Sequence, residues 1–158
     1  RLEADRISLA LESCDVVQLC RQVLSSVSVS RKSTNEFVFD SKYETFTLKA
    51  DIQRLQQVII NLLSNAVKFT ADGTITLEFS VDKEQKTAMF AVSDTGCGIP
   101  KEKQKLVFER FEKLNEYAQG TGLGLAICKL TVEKWGGRIW VDPEYTGGAR
   151  FIFSMPII

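Results

Sequence analysis

Hydrophobic residues in the central segment, residues 51–70, repeat with the spacing of one helix face. An α-helix advances about 100° per residue, so side chains three, four and seven positions apart share a side. One broad arc of this segment is apolar and holds Leu55, Val58, Ile59, Leu62, Leu63 and Ala66. The pattern predicts a helix that Asp51 caps and that packs its apolar arc against a core.

A narrow polar stripe on the same predicted helix consists of Arg54, Gln57, Asn61, Asn65 and Lys68. A carboxamide oxygen can ligate a hard cation such as Mg²⁺, and an ammonium group can contact phosphate. A solvated helix face would carry the same residue types. The polar stripe alone therefore leaves both interpretations open.

The remaining pattern predicts an alternation of helices and strands. Helices are expected after an Asp15 cap, in short pieces over 101–115, and over 122–135 with a stop at Gly136 and Gly137. The strands are predicted at 8–12, 37–39, 45–48, 74–81, 87–92, 138–141 and 149–155. Two hairpins are predicted, with turns at 40–44 and 82–86.

Length and composition favour one globular domain with a sizeable core. The chain has 158 residues, of which 44% are hydrophobic and 25% are charged. Its 20 basic and 20 acidic residues balance, which argues against nucleic acid or an anionic membrane as a direct partner. No apolar run reaches the roughly 20 residues of a membrane span, and no signal peptide opens the chain. The first residue is Arg1 rather than Met, which indicates a piece of a longer protein.

The four cysteines show no metal-binding spacing and indicate reduced thiols in the cytoplasm. Cys20 and Cys128 are predicted to be small core residues. Cys97 is either a reactive thiol or a silent one.

A second motif, Asp94-x-Gly96-x-Gly98 followed by Ile99 and Pro100, comes directly after a predicted strand. Glycines let a ligand approach the backbone, and the carboxylate can accept a hydrogen bond from the exocyclic amine of adenine. Guanine presents an oxygen at that position, which a carboxylate would repel. The alternative is an aspartate that only closes its own turn.

A third motif, running from Gly120 to Gly124 as G-T-G-L-G, opens a predicted helix. Free N–H groups at a helix start favour phosphate, and the glycines allow close approach. A flexible loop that ends at a helix is the alternative.

These motifs, together with Phe108-x-x-Phe111, resemble the N, first-glycine, F and second-glycine boxes of sensor histidine kinases, in that order. The wider superfamily includes gyrase, the ninety-kilodalton heat-shock chaperone and the MutL repair proteins. Two features favour the kinase branch: the F box, and Asn61 at the position where hydrolytic relatives carry Glu. The resemblance covers the chain from about Asp15 onward.

The resemblance implies a two-layer α/β sandwich, with a mixed, mainly antiparallel sheet covered on one face by about three helices. ATP would lie between the central helix and the glycine loops. Residues 1–7 would end a helix from a preceding dimerisation domain, and residues 8–158 would form the catalytic and ATP-binding domain.

The resemblance also implies roles for the central helix. Asn61 and Lys68 would be catalytic residues that contact the phosphates, Asn65 would hold Mg²⁺ with help from Asn61, and Phe69 would lie against the sugar or base.

In the loops, Asp94 would read the adenine amine, with Gly96, Gly98 and Ile99 lining the base pocket. The lid over the phosphates would contain Gly120, Thr121, Gly122, Leu123 and Gly124.

Two departures from the family pattern concern Lys113 and Ala149. Many relatives have arginine in place of Lys113 near the γ-phosphate, so bidentate contact is in question there. Relatives often have Ser or Thr in place of Ala149, near a water bound to adenine. Phe108 and Phe111 would anchor the lid, although aromatics in short helices also serve as plain core.

The implied function is delivery of the γ-phosphoryl group of Mg-ATP to a histidine on a helical dimerisation domain. This chain contains no histidine, so that domain is a required partner. A response regulator receiver domain would be the next partner. The isolated domain is expected to be a cytoplasmic monomer whose parent is a membrane-bound sensor. The alternative is a nucleotide-gated module whose lid closure switches partner contacts.

Overall fold

A computed structural model describes residues 10–30, 34–109 and 123–157. Seven strands and four helices lie within those ranges. The strands are β1 (Glu12–Asp15), β2 (Glu36–Asp40), β3 (Thr47–Ala50), β4 (Thr74–Asp82), β5 (Thr87–Asp94), β6 (Ile139–Val141) and β7 (Arg150–Pro156). The helices are α1 (Val16–Ser30), α2 (Ile52–Phe69), α3 (Lys101–Gln104) and α4 (Leu123–Lys134).

The main sheet has five strands in the order β2-β4-β5-β7-β6. Its β2–β4 pair is parallel and its other pairs are antiparallel. Helices α1, α2 and α4 pack against this sheet, and β1 and β3 form a separate two-stranded antiparallel sheet. The predicted mixed, mainly antiparallel α/β sandwich is confirmed.

The predicted hairpin around residues 40–44 is wrong. Strand β2 pairs in parallel with β4, and β3 pairs with β1 instead of β2. The connection carries Tyr43 and Phe46, whose rings stack on each other and pack against Phe79 of β4. This segment is therefore a connection whose aromatic rings pack against the core, which local alternation in the sequence does not indicate.

The first strand also lies later than the predicted range 8–12, because Asp15 ends it and caps α1. Asp15 Oδ1 accepts hydrogen bonds from the N–H groups of Val17 (3.2 Å) and Gln18 (3.3 Å). The same oxygen accepts from Phe46 N at 3.1 Å, which ties the cap to the segment before β3. The bounds of the other strands and of α4 agree with prediction to within two residues.

The predicted central helix is confirmed as α2. All six residues of its apolar arc are buried, and Asp51 Oδ1 accepts from Arg54 N at 3.1 Å as the N-cap. Cys20 and Cys128 are fully buried core residues, as predicted. The core of the sheet includes Phe90 and Phe153, which stack with ring centroids 4.7 Å apart. Because its apolar arc is buried against the core, α2 holds the residues of the polar stripe in a defined position relative to the sheet.

Candidate functional site

The structure brings together three of the segments singled out in the sequence. They are the C-terminal half of α2, the Asp94 turn (residues 94–100) and the start of α4. Cys97 N donates to Phe69 O at 3.2 Å, which joins the Asp94 turn to the end of α2. Asn61 Nδ2 donates to Gly124 O at 3.4 Å, which joins the middle of α2 to α4. The polar stripe of α2 is therefore in contact with α4 and is not simply a helix face exposed to solvent.

Asp94 ends β5 with its side chain buried at 3% exposure. Its Oδ1 accepts from Gly96 N at 2.9 Å and from Ala149 N at 3.2 Å. Burial raises the pKa of this carboxyl, and these two backbone hydrogen bonds act in the opposite direction. The nearby Thr70 hydroxyl also favours the charged form, although Thr70 Oγ1 reaches no partner at hydrogen-bond geometry. No described residue hydrogen-bonds to Asp94 Oδ2, so this oxygen can accept from a ligand.

The main chain of Asp94 is fixed as firmly as its carboxylate. Asp94 N donates to Ala149 O at 2.9 Å, and the Tyr145 hydroxyl donates to Asp94 O at 3.2 Å. Sequence analysis missed Tyr145, because it lies in a loop 51 positions away and belongs to no motif. Its phenol therefore restrains the main chain that carries the Asp94 carboxylate.

Gly96 is required by close backbone approach. A Cβ at this position would overlap the carbonyl oxygen of Phe69 and would lie 2.7 Å from Thr70 Oγ1. Gly98 has φ +75°, a conformation that glycine adopts without strain. Both motif glycines thus shape the Asp94 turn, and Ile99 beside them is half-buried against the core.

Asn61 forms a contact between the polar stripe and α4. Its Oδ1 accepts from Gln57 Nε2 at 3.1 Å, while its Nδ2 faces Gly124 O and, at 3.6 Å, the Cys128 sulfur. Burial raises the pKa of the Cys128 thiol to about 12, so this sulfur is a neutral thiol. Sequence analysis did not assign Gln57 a part in holding Asn61, although its spacing of one helical turn is the signal that could have done so.

Asn65 lies one turn further along and is half-buried. No described residue hydrogen-bonds to its side-chain amide, whereas the Asn61 oxygen already accepts from Gln57. Of the two amides, Asn65 therefore fits a Mg²⁺ ligand better in this conformation. Lys68 is exposed and Phe69 is half-buried at the end of the helix. No group of three or more His, Cys, Asp or Glu residues that could hold a metal occurs in the described part of the chain.

Several predicted residues lie outside the described residues, namely Phe111, Lys113, Gly120, Thr121 and Gly122. Leu123 is the first residue of α4, and Gly124 is exposed at its start. Phe108 belongs to the core, where it meets Phe151 edge-on with ring centroids 5.9 Å apart. The predicted core role of Phe108 is confirmed, and its predicted role in anchoring the lid stays a prediction.

Sequence comparison matches residues 50–158 to the family described as "Histidine kinase-, DNA gyrase B-, and HSP90-like ATPase". The adaptive-response sensory kinase SasA of Synechococcus elongatus is 36% identical over 165 residues. That match covers 99% of this chain and 42% of SasA. The chain therefore spans less than half of this curated relative.

Structural comparison finds the same fold in solved histidine kinases. The structure of full-length ShkA in complex with AMPPNP has a TM-score of 0.85 and 34% identity, and the match covers 96% of this chain and 32% of ShkA. The nucleotide-free catalytic domain of histidine kinase ThkA has a TM-score of 0.84 and 30% identity, with 94% of this chain and 97% of that domain covered. ThkA has also been solved in complex with the response regulator TrrA, at a TM-score of 0.79, 26% identity, and coverage of 94% and 42%.

Proposed function

The chain belongs to the family of histidine kinase-, DNA gyrase B- and HSP90-like ATPases, and we propose that it is the catalytic, ATP-binding domain of a sensor histidine kinase. The observation that carries the proposal is the buried Asp94 carboxylate. Two backbone N–H groups hold its Oδ1 in the turn that packs on the C-terminal end of α2, and no described residue bonds to its Oδ2.

Asp94 would select the base, because Oδ2 can accept a hydrogen bond from the exocyclic amine of adenine. Guanine carries a carbonyl oxygen there, so it would place two acceptors face to face. The AMPPNP bound in the ShkA complex supports an adenine nucleotide as the ligand. Gly96, Gly98 and Ile99 would line the base, with Phe69 beside them.

The triphosphate would lie along the polar stripe toward α4. Asn65 would hold Mg²⁺ together with phosphate oxygens, which are the hard ligands this ion prefers. Asn61 would assist at the metal or the phosphates, and Lys68 would contact phosphate. Mg²⁺, when bound, would neutralise negative charge on the phosphates. The residues of the chain would hold the γ-phosphoryl group in position for transfer, which is the main requirement of phosphoryl transfer. Thr121 and its neighbouring glycines, Lys113 and Leu123 would complete the phosphate side.

The phosphoacceptor would be a histidine on another segment or molecule, because this chain has none. We expect it on a helical dimerisation domain that residues 1–7 would join to the catalytic domain over residues 8–158. A response regulator receiver domain would accept the phosphoryl group next, as the ThkA–TrrA complex supports. Neither nucleic acid nor a membrane surface is a proposed partner.

The isolated domain would be a monomer in a reducing, cytoplasmic setting, in keeping with its four free cysteines. Its parent would be a membrane-bound sensor. None of the described helices is both long and apolar enough to span a bilayer.

Incubation with γ-labelled ATP, with and without a histidine-bearing helical domain, tests the proposal. We expect acid-labile label on the helical domain only when the chain is present, and no label when that histidine is changed to Ala. Asp94→Asn in the chain is the matched control, because it removes the base contact and leaves the polar stripe intact. Label that stays off the helical domain despite docking and ATP binding would overturn the kinase assignment. Rapid ATP turnover by the chain alone would favour the nucleotide-gated module instead.

A further inference from the structure

The hydroxyl of Thr70 is a buried polar group that makes no hydrogen bond with the part of the chain that the structure describes. Thr70 follows the last residue of α2 and is 6% exposed. Its Oγ1 is buried and makes no hydrogen bond with any described residue. A buried hydroxyl that makes no hydrogen bond is unfavourable in a folded protein, so its presence calls for a reason.

Neighbouring hydrogen bonds hold Thr70 in place. Thr70 O accepts from Asn35 Nδ2 at 2.9 Å, and Asn35 Oδ1 accepts from Gly73 N at 2.7 Å. The preceding carbonyl, Phe69 O, accepts from Cys97 N at 3.2 Å. The backbone around Thr70 is therefore fixed both to Asn35, the residue before β2, and to the Asp94 turn, so movement of the main chain cannot carry the Thr70 side chain away.

The Thr70 hydroxyl lies beside the proposed base site. A Cβ at Gly96 would be 2.7 Å from Thr70 Oγ1, and the N–H of the same Gly96 donates to Asp94 Oδ1 at 2.9 Å. Ala149, whose N–H bonds to the same carboxylate, contributes only a methyl group as its side chain. Thr70 thus places a neutral group that can donate a hydrogen bond next to a carboxylate that can only accept.

We propose that Thr70 is a second base-reading residue, whose hydroxyl donates, directly or through one water molecule, to N1 of adenine. This inference rests on the proposed function. Adenine presents a donor, the exocyclic amine, beside an acceptor, N1, which matches a carboxylate beside a hydroxyl donor. Guanine reverses that order, with an acceptor oxygen beside an N1–H donor. Thr70 and Asp94 together read the order of donor and acceptor along the base edge.

Calorimetry with AMPPNP and with ATP carrying a C–H in place of N1 (1-deaza-ATP), both with Mg²⁺, tests this inference. In the parent chain we expect 1-deaza-ATP to bind about five- to tenfold more weakly, within the range of one lost hydrogen bond. Thr70→Val should weaken AMPPNP binding by a similar factor and leave 1-deaza-ATP binding within about twofold. Thr70→Ser, which keeps the hydroxyl, should restore AMPPNP binding.

The control variant is Thr76→Val in β4. The Thr76 side chain lies on the face of the sheet opposite to the buried Ile75 and Leu77, so this change should alter the affinity for neither nucleotide. Equal loss for both nucleotides in Thr70→Val would assign Thr70 a packing role and overturn the proposal. Equal binding of both nucleotides to the parent chain would overturn it without any variant, even if Thr70→Val fails to fold. A parent chain that binds neither nucleotide would instead contradict the proposed function.

Discussion

Gly96→Ala should destabilise the fold as well as the nucleotide site, because the Asp94 turn is packed directly on the end of α2. The added Cβ would overlap Phe69 O and lie 2.8 Å from the Phe69 carbonyl carbon. Carbon atoms pack best at about 3.5–4.0 Å, so the turn or the helix end must move by about 1 Å. That movement would break the hydrogen bond from Cys97 N to Phe69 O.

The expected cost follows from those two effects. Overpacking a close contact costs about 1–3 kcal/mol, and losing one backbone hydrogen bond costs about 0.5–1.5 kcal/mol. We therefore expect Gly96→Ala to lower the free energy of unfolding by about 2–4 kcal/mol. Urea denaturation followed by circular dichroism measures this as a lower midpoint with an unchanged slope.

The matched control is Gly124→Ala in the other glycine motif. Among the described residues, the atom nearest to a Cβ there would be Asn61 Cγ at 3.9 Å, an ordinary contact, and alanine favours helix over glycine by up to about 1 kcal/mol. Gly124→Ala should therefore leave stability unchanged or raise it slightly. A Gly96→Ala variant within about 0.5 kcal/mol of the parent would refute the packing argument.

Three further predictions concern binding and reactivity. Asp94→Asn should weaken ATP binding by about ten- to hundredfold in calorimetry, because a charge-assisted hydrogen bond worth about 1.5–3 kcal/mol is lost. The same variant should show a smaller difference between its affinities for ATP and GTP. Asn65→Ala should keep the fold, since alanine is the better helix former, but should reduce the gain in ATP affinity that Mg²⁺ provides. Iodoacetamide should alkylate the exposed Cys97 in the native chain, while Cys20 and Cys128 react only after unfolding, because burial raises the pKa of each thiol to about 12.

The Mg²⁺ prediction has a control variant, and each of the three has an outcome that would contradict it. Gln56→Ala, at an exposed position of α2 outside the polar stripe, should leave the Mg²⁺ effect unchanged. ATP affinity that is unchanged in a folded Asp94→Asn variant would remove Asp94 from the site. Mg²⁺ strengthening ATP binding equally in Asn65→Ala and the parent would exclude Asn65 as the ligand. Native-state alkylation of Cys128, detected by mass spectrometry, would contradict its burial.

The pattern of hydrophobic and polar residues predicted correctly those features of the fold that depend on neighbouring residues. The apolar arc of α2, its Asp51 cap and the β4–β5 hairpin each depend on residues a few positions apart, and all three are confirmed. The pairing of β2 depends on a parallel partner that lies beyond β3 and α2, so alternation alone located the strand but assigned it the wrong neighbour. The choice of neighbour for a strand depends on how distant segments pack, and the residues of one strand do not specify that choice.

The residues of the candidate site also fall into two groups, those that a local motif predicts and those that only the tertiary structure brings to the site. Motif residues such as Asp94 and Gly96 carry their spacing in the sequence. No motif contains Tyr145, and the sequence analysis assigned Thr70 no role at the site. The proximity of these two residues to the Asp94 turn exists only after the β5–β7 pairing and the end of α2 bring distant segments together.

The burial of Asp94 carries a stability cost with a definite sign. Burial raises the pKa of Asp94 above the ordinary value of 3.8, so the native state holds this proton more tightly than the unfolded chain. Its contribution to stability is therefore lost as pH rises from 3.8 through the raised pKa and returns on acidification.

ATP affinity should change in the opposite direction, because only the ionised carboxylate offers two accepting oxygens. Asp94→Asn removes the charge, and an amide oxygen can still accept from Gly96 N and Ala149 N. Without nucleotide at neutral pH, the variant should therefore be at least as stable as the parent in thermal unfolding, although it binds ATP more weakly. A variant that is clearly less stable than the parent would mean that the charge of Asp94 supports the fold rather than the site.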